Sequence, residues 1–449
     1  MLDIKVIREN PEDVKTRLKG KQVDCDKAID RILELDGQRR ELIFKTESAK
    51  SEQNKVSKEI PKLKKEGQDT TEVISRMNAL KEDIKVFDAD LKKVEDEYTE
   101  LMLSLPNLPD PDLKFGGKEN NVPLRYMSGA KTPDFEIKNH VDLCTELGMI
   151  DYPRGTKLAG NGFWIYRGMG ARLEWALLNF FIETHELDGY EFVMVPNMLG
   201  YECGLTAGQF PKFKDEVYWL EQQDENEPRH FMLPTAETAL ASLHRDEILN
   251  ENELPRKYIS LTPCFRREAG SYRAEERGMI RGHQFNKVEM FQYCRPEDSD
   301  KAFDELVDKA EFLVKDLGLK FRTVKLAAGD CSASMARTYD IEVFIPSMGG
   351  YKEVSSVSNA RDYQARRGNI RFRREDGGKI ELCHTLNGSG LATSRIIPAI
   401  VEQYQNPDGS VEVPQVLRRY MRGKEQITKD DIQRVQIRNP LTSSCGSCD

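Results

Sequence analysis

The sequence Cys264-Phe265-Arg266-Arg267-Glu268-Ala269-Gly270-Ser271, continued after a short polar run by Arg277-Gly278-Met279-Ile280-Arg281-Gly282-His283-Gln284-Phe285, reads as two strands joined by a charged loop. Such a hairpin would bring Arg266, Arg277 and Arg281 close together. Guanidinium groups so arranged suit a polyphosphate, because each planar fork can bind two oxygens at once. Arginine content alone leaves a plainer arrangement open, in which these side chains pair at the surface with Glu268, Glu275 and Glu276.

On either side of the hairpin, helix-like and strand-like stretches mix without an internal repeat. Residues 170–185 and 299–317 have the apolar spacing of helices, whereas 190–195, 258–261, 287–293 and 340–345 read as strands. No G-x-x-x-x-G-K-[ST] loop and no strand–G-x-G-x-x-G–helix unit occurs. A nucleotide bound here is held by other means.

Residues 27–104 differ in kind, with dense charge and a single proline, Pro61. Met77, Leu80, Ile84, Phe87, Leu91, Val94, Tyr98 and Leu101 step by three and four, the spacing of a coiled-coil seam. Ile32, Leu35, Leu42, Ala49, Val56, Ile60 and Leu63 repeat it more weakly, and a polar turn over 65–70 separates the halves. Two antiparallel helices of roughly 35–40 residues would reach about 55 Å. Residues 27–65 carry 11 Lys/Arg against 7 Asp/Glu, and residues 66–104 carry 5 against 11. The basic flank could grip a phosphate backbone, or the rod could serve only to space or dimerise. Pro106, Pro109 and Pro111 then end the helix and mark a domain boundary. The expected division is 1–104, a linker over 105–120, a main domain over 121–422 and an extension over 423–449.

The whole chain has 449 residues and a net charge of −9, which argues against a non-specific coater of DNA. No apolar run approaches the ~20 residues of a membrane span. The first residues, MLDIKVIRENPEDVKTRLKG, lack the apolar stretch of a signal peptide and are not acid-poor like a transit peptide, so a cytoplasmic location is expected. Nine scattered cysteines give no disulfide framework, and Cys445-x-x-Cys448 lacks the second pair a zinc site needs.

The hairpin motif Phe-Arg-x-Glu-Ala-Gly-Ser … Arg-Gly-x-Ile-Arg-x-His-Gln-Phe-x-Lys-Val-Glu-Met resembles the second signature of class II aminoacyl-tRNA synthetases in its seryl form. Gly170-Ala-Arg-Leu-Glu174 through Pro196 resembles the first signature, a dimer-forming helix and strand, and 384–395 (HTLNGSGLATSR) resembles the third. Leu233-Pro-Thr-Ala-Glu237 is similar to the family's serine-contacting Thr-x-Glu loop. The resemblance runs to about residue 422. It implies an α+β fold: a class II antiparallel β-sheet core flanked by helices, with an N-terminal two-helix antiparallel coiled-coil arm.

The activity implied is that of a serine–tRNA ligase. L-serine attacks the α-phosphorus of ATP to give seryl-adenylate, and serine then passes to the 3′ end of tRNA(Ser), with tRNA(Sec) a second candidate partner. The implied assembly is a homodimer, the arm reaching the long variable stem of a tRNA bound on the other copy. By the same resemblance Arg266 meets the α-phosphate and Arg395 the γ-phosphate, the two catalytic positions. Phe285 stacks on adenine, Glu268 reads its amino edge, and Glu353 with Ser356 holds Mg2+. Serine falls to Thr235, Glu237, Arg266, Glu289, Asn387 and Ser389, a polar pocket that would reject alanine because its own groups would be left unpaired. Tyr339 and Asp340 are expected to be scaffold, and Cys264, Cys383, His283 and His384 to be structural.

Four stretches depart from the family pattern: Arg267, the loop 271–277, Gly204–Lys212 and Cys331–Ala336. In the family the loop 271–277 approaches the tRNA acceptor end, so the resemblance implies that its change bears on transfer or tRNA choice more than on activation. Two other readings are a serine-activating homologue serving a carrier protein or antibiotic pathway, and a catalytically silent paralogue. The arm counts against the first, and retention of Arg266, Glu268, Glu353 and Arg395 against the second.

Overall fold

The computed structural model describes residues 1–131, 133–224, 227–268 and 278–432. The chain divides into two compact units, Met1–Leu108 and Pro109–Asp449.

In the first unit, two short helices precede α1 (Asp26–Lys65) and α2 (Thr71–Ser104), which pair along their length. At 1.5 Å per residue these are rods of about 60 and 50 Å. The turn between them carries Gly67 at φ +69°, a left-handed conformation that glycine adopts without a Cβ clash. Ile29, Ile32, Leu35 and Val56 of α1 are buried. Across it Arg31 bonds Glu97 at 2.7 and 2.9 Å, Arg39 bonds Glu95 at 3.0 Å, and Lys50 bonds Asp88 at 3.2 Å. Exposed pairs of this kind contribute only about 0–1 kcal/mol each, so the apolar seam holds the hairpin and the charges set its register.

The second unit is built on eight strands: β1 (Val122–Met127), β2 (Glu191–Phe192), β3 (Arg256–Phe265), β4 (Gln284–Cys294), β5 (Phe321–Lys325), β6 (Arg337–Ile345), β7 (Gly350–Arg361) and β8 (His384–Ala392). Their order is β1-β5-β6-β7-β8-β4-β3-β2, antiparallel throughout except for the short β2–β3 pair. Three helices, α3 (Gly168–Leu187), α4 (Ser299–Asp316) and α5 (Thr393–Gln403), cover one face. Strand alternation sorts the side chains. Val288 and Met290 of β4, Val357 of β7 and Leu386 of β8 enter the apolar core with Leu306, Leu313, Ile396 and Ile400. Their neighbours Lys287, Glu289, Ser356, Ser358, Asn387 and Ser389 line a cavity instead.

The expected helices match α3 and α4, and three of the expected strands lie inside β3, β4 and β6. At 190–195 the strand is only Glu191–Phe192, with the Val193 N–H donating to the Ile259 carbonyl at 2.9 Å. The stretch 105–120 is ordered by packing: Leu105, Pro106 and Asn107 are buried, and Leu113 joins Val324, Leu326, Ala328 and Cys331 in an apolar cluster. Asp110 is tied to Arg361 at 2.7 Å and to Arg337 at 2.9 Å.

Candidate active site

Two adjoining cavities open on the polar face of the sheet. One is lined by Arg266, Glu268, Arg281, Phe285, Glu353 and Arg395, among others. The other is lined by Thr235, Glu237, Glu289, Ser356, Asn387 and Ser389, together with Gln209, Phe213, Ser332 and Met335. Arg266, Glu268, Lys287, Glu353 and Ser389 border both.

Arg266 follows the last residue of β3, where its backbone N–H donates to the His283 carbonyl at 2.9 Å. Its guanidinium lies 5.3 Å from the centre of the Phe285 ring and donates through Nε to the Pro234 carbonyl at 3.3 Å. The 5.3 Å separation is a cation–π contact, which leaves the ring open to a flat base beside the guanidinium. Glu268 has φ +49° and accepts from Arg281 at 2.5 Å. Arg266 and Arg281 therefore share a cavity, as the hairpin reading requires, and Arg281 is also paired to Glu268. Arg277 and the rest of the loop 271–277 lie outside the described residues.

Arg395 stands in the first turn of α5, with Nε on the Ile280 carbonyl at 3.0 Å and Nη1 on the Glu353 carbonyl at 2.7 Å. Its ion pair with the Glu353 carboxylate is long, 3.5 Å. Glu353 and Ser356 are three apart, a spacing that would put them on opposite faces of a regular strand. The β6–β7 register shifts between Ile341 and Glu342, which pair with Ser355 and Glu353, and this bulge brings Glu353 and Ser356 to one side. Ser356 Oγ donates to Asp340 Oδ1 at 2.7 Å, which turns its lone pairs away from that bond. A carboxylate and a hydroxyl oxygen so placed fit a hard, oxygen-seeking cation such as Mg2+. Asp340 thus touches the site, whereas Tyr339 packs edge-on against Phe303 at 4.9 Å. Burial, and next Glu353, raise the Asp340 carboxyl well above its ordinary value.

In the second cavity a short helix, Ala236–Leu240, is capped by Thr235, whose hydroxyl accepts from the Glu237 N–H at 3.4 Å. The same hydroxyl accepts from Lys287 Nζ at 2.7 Å and lies 3.4 Å from Glu289 Oε2. Asn387 Nδ2 donates to Glu289 Oε1 at 2.9 Å, and Asn387 Oδ1 is buried without a partner. Glu237 accepts from Gln364 at 2.9 Å. Withdrawal from water, and then the neighbouring Glu289 carboxylate, push the Glu237 pKa up to about 7. A cavity lined by an unpartnered acceptor, two carboxyl groups and a hydroxyl is one that a small molecule bearing an ammonium and a hydroxyl would complete.

Every residue expected of the site lies on these two cavities. Lys287, Gln209 and Met335 were not expected there. For Lys287 a signal existed, since it alternates with Phe285 and Glu289 on one strand. Cys264 and Cys383 are buried, with thiols raised by burial, the latter to about 12. His283 bonds the Arg266 carbonyl at 3.0 Å, and burial lowers His384 to about 4. Among the described residues no cluster of His, Cys, Asp and Glu could hold a metal on its own. Cys445, Cys448 and the tail from 433 lie outside the described residues.

An antiparallel sheet carrying these three motifs is that of the class II aminoacyl-tRNA synthetases, and the family model "tRNA synthetase class II core domain (G, H, P, S and T)" matches residues 218–404. A second model, the seryl-tRNA synthetase N-terminal domain, matches residues 1–109. The chain belongs to the seryl-tRNA synthetase family. It is 56% identical over 428 residues to serine–tRNA ligase 2 of Clostridium acetobutylicum, covering 95% of this chain and 100% of that one. To the serine–tRNA ligase of Listeria welshimeri it is 43% identical over 429 residues, 95% and 99% of the two chains. Among solved structures it resembles the seryl-tRNA synthetase of Pyrococcus horikoshii complexed with ATP, with a TM-score of 0.88, 34% identity and coverage of 95% and 99%. The cytoplasmic serine–tRNA ligase of Naegleria fowleri in complex with AMP superposes with a TM-score of 0.82 at 29% identity, over 95% and 99% of the chains.

Proposed function

We propose that this chain activates L-serine with ATP and transfers it to the 3′ end of tRNA(Ser). The observation that carries the reading is the joining of an arginine-rich cavity to one lined by Thr235, Glu289 and Asn387, with Arg266 at their boundary. Phe285 stacks the adenine and Glu268 reads its amino edge. Arg266 meets the charge that grows on the α-phosphate, and Arg395 binds the γ-phosphate. Thr235 and Glu237 take the ammonium, Glu289 contacts the substrate, and Asn387 and Ser389 meet the hydroxymethyl group. A serine carboxylate oxygen bonds to the α-phosphorus while the bond to the β-phosphate oxygen breaks, and pyrophosphate leaves with the electron pair. Glu353 and Ser356 would hold Mg2+, which when bound offsets phosphate charge.

Several finer assignments belong to the same proposal. The helical unit grips tRNA through the basic flank of α1, and tRNA(Sec) is a second substrate. The active form is a homodimer, supported by the exposure of Trp175 on α3 and of Met194 and Met198 after it. A cytoplasmic location is proposed; among the described residues no helix is long and apolar enough to cross a membrane. Full-length likeness to serine–tRNA ligases supports tRNA as the acceptor, against a carrier protein or a silent paralogue. Serine-dependent pyrophosphate–ATP exchange, followed by charging of tRNA(Ser), is the direct test; absence of exchange would refute the reading.

A further inference from the structure

We propose that Lys287 contacts substrate in the activation step: its ammonium holds the carboxylate of serine at the α-phosphorus, with Arg266 on the phosphate side. The inference rests on the serine-activating reading above and adds a residue to it. Lys287 is buried, donates to Thr235 Oγ1 at 2.7 Å and is ion-paired with Glu289. Among the described residues it and Arg266 are the cations that border both cavities. A lysine ammonium has three donors, so Thr235 and Glu289 leave it one for a ligand.

Strand geometry fixes the level at which it acts. Phe285, Lys287 and Glu289 alternate on one face of β4, about 6.6–6.8 Å apart at each step of two residues. An aminoacyl-adenylate lying along that face has its base at Phe285 and its ammonium end at Glu289, where Thr235 and Glu237 line the same cavity. The junction of carboxylate and phosphorus then falls between them, at Lys287.

Charge balance agrees. Glu237 and Glu289 put two carboxylates in the pocket, and Lys287 offsets one while the pocket is empty. Serine brings one ammonium and one carboxylate. When its ammonium settles among Thr235, Glu237 and Glu289, Lys287 turns to the incoming carboxylate beside Arg266, so that two cations and the ammonium face three carboxylates. Lys287 moves no proton in the step; it remains an ammonium while the oxygen–phosphorus bond forms and pyrophosphate departs.

The test compares two ligands of the full-length enzyme. Serine carries a carboxylate, whereas serinol keeps the ammonium and hydroxyl without it. In Lys287→Met, the KM for serine in pyrophosphate exchange is expected to rise about 10- to 100-fold, as for loss of a hydrogen bond to a charged group. Binding of serinol, from its inhibition constant, and of ATP, followed by titration calorimetry, should weaken by less than about threefold. Lys287→Gln, which keeps a donor for Thr235 without the charge, should behave likewise and carries the test if the methionine variant does not fold. Parallel weakening of serine and serinol would overturn the proposal, because the lysine would then act only through Glu289. An unchanged KM for serine would overturn it as well. Lack of exchange in the unsubstituted enzyme is a different result, and it falls on the serine reading itself.

Discussion

Glu174→Gln is expected to stabilise the second unit, by an amount that grows with pH. Glu174 is buried in α3, where its Oε1 accepts from Asn286 Nδ2 at 2.8 Å and from Thr393 Oγ1 at 2.7 Å. Its Oε2 is buried with no hydrogen-bond partner. Burial outweighs the lowering effect of Asn286, Thr393 and Tyr166 and raises its pKa from 4.5 to about 7. The folded chain therefore keeps a proton that the unfolded chain has already lost. The stability linked to this carboxyl is fully present below about pH 4.5 and is lost as the pH rises through about 7. At about 1.4 kcal/mol per unit the loss amounts to about 3 kcal/mol. Glutamine retains the Oε1 acceptor and does not ionise, so the variant escapes the loss. All three tryptophans, Trp164, Trp175 and Trp219, lie in this unit, so their fluorescence during urea unfolding reports it without the helical arm. The gap between variant and parent should widen by about 2–3 kcal/mol between pH 5 and pH 8. A gap that is the same at both pH values, or a variant less stable at pH 8, would refute the argument.

Arg266→Ala should lower pyrophosphate exchange about 10²- to 10³-fold, the usual cost of losing one donor to developing charge; a loss below tenfold would remove Arg266 from the α-phosphate. Deleting residues 41–94, with a short turn joining Arg40 to Glu95, should spare exchange and abolish charging of tRNA(Ser). Persistence of charging would show that the arm does not grip the tRNA. Asp340→Ala should raise the Mg2+ needed for half-maximal exchange by about 10- to 100-fold, since Ser356 loses the acceptor that orients its hydroxyl. Binding of Mn2+–ATP, measured by electron paramagnetic resonance, should weaken in step, with the KM for serine unchanged.

The chain announces its long regular elements and hides its short ones. The coiled-coil seam and the amphipathic pattern of α4 persist over many turns, so periodicity alone reports them. β8 is the opposite case. Its sequence, HTLNGSGLA, has two glycines and little β propensity, yet it is hydrogen-bonded between β7 and β4. Its strand character comes from its neighbours. Gly390 is required by closeness: a Cβ there would stand 2.3 Å from His185 of α3.

The residues of the site were found through motif resemblance, but why they converge was not visible in one dimension. Phe285 and Glu289 lie on one face of β4 and Arg266 just beyond the end of its partner β3, so alternation and the hairpin account for them. Glu353 and Ser356 do not obey alternation, and only the bulge opposite Ile341 and Glu342 puts both oxygens into one cavity. Asp340, read as scaffold, enters the site because the register sets it opposite Ser356. The same register shows why its carboxylate is no bystander. A hydroxyl offers its lone pairs to a cation best when its O–H is directed away from it, and in this sheet the cross-strand partner of Ser356, Asp340, accepts that O–H at 2.7 Å.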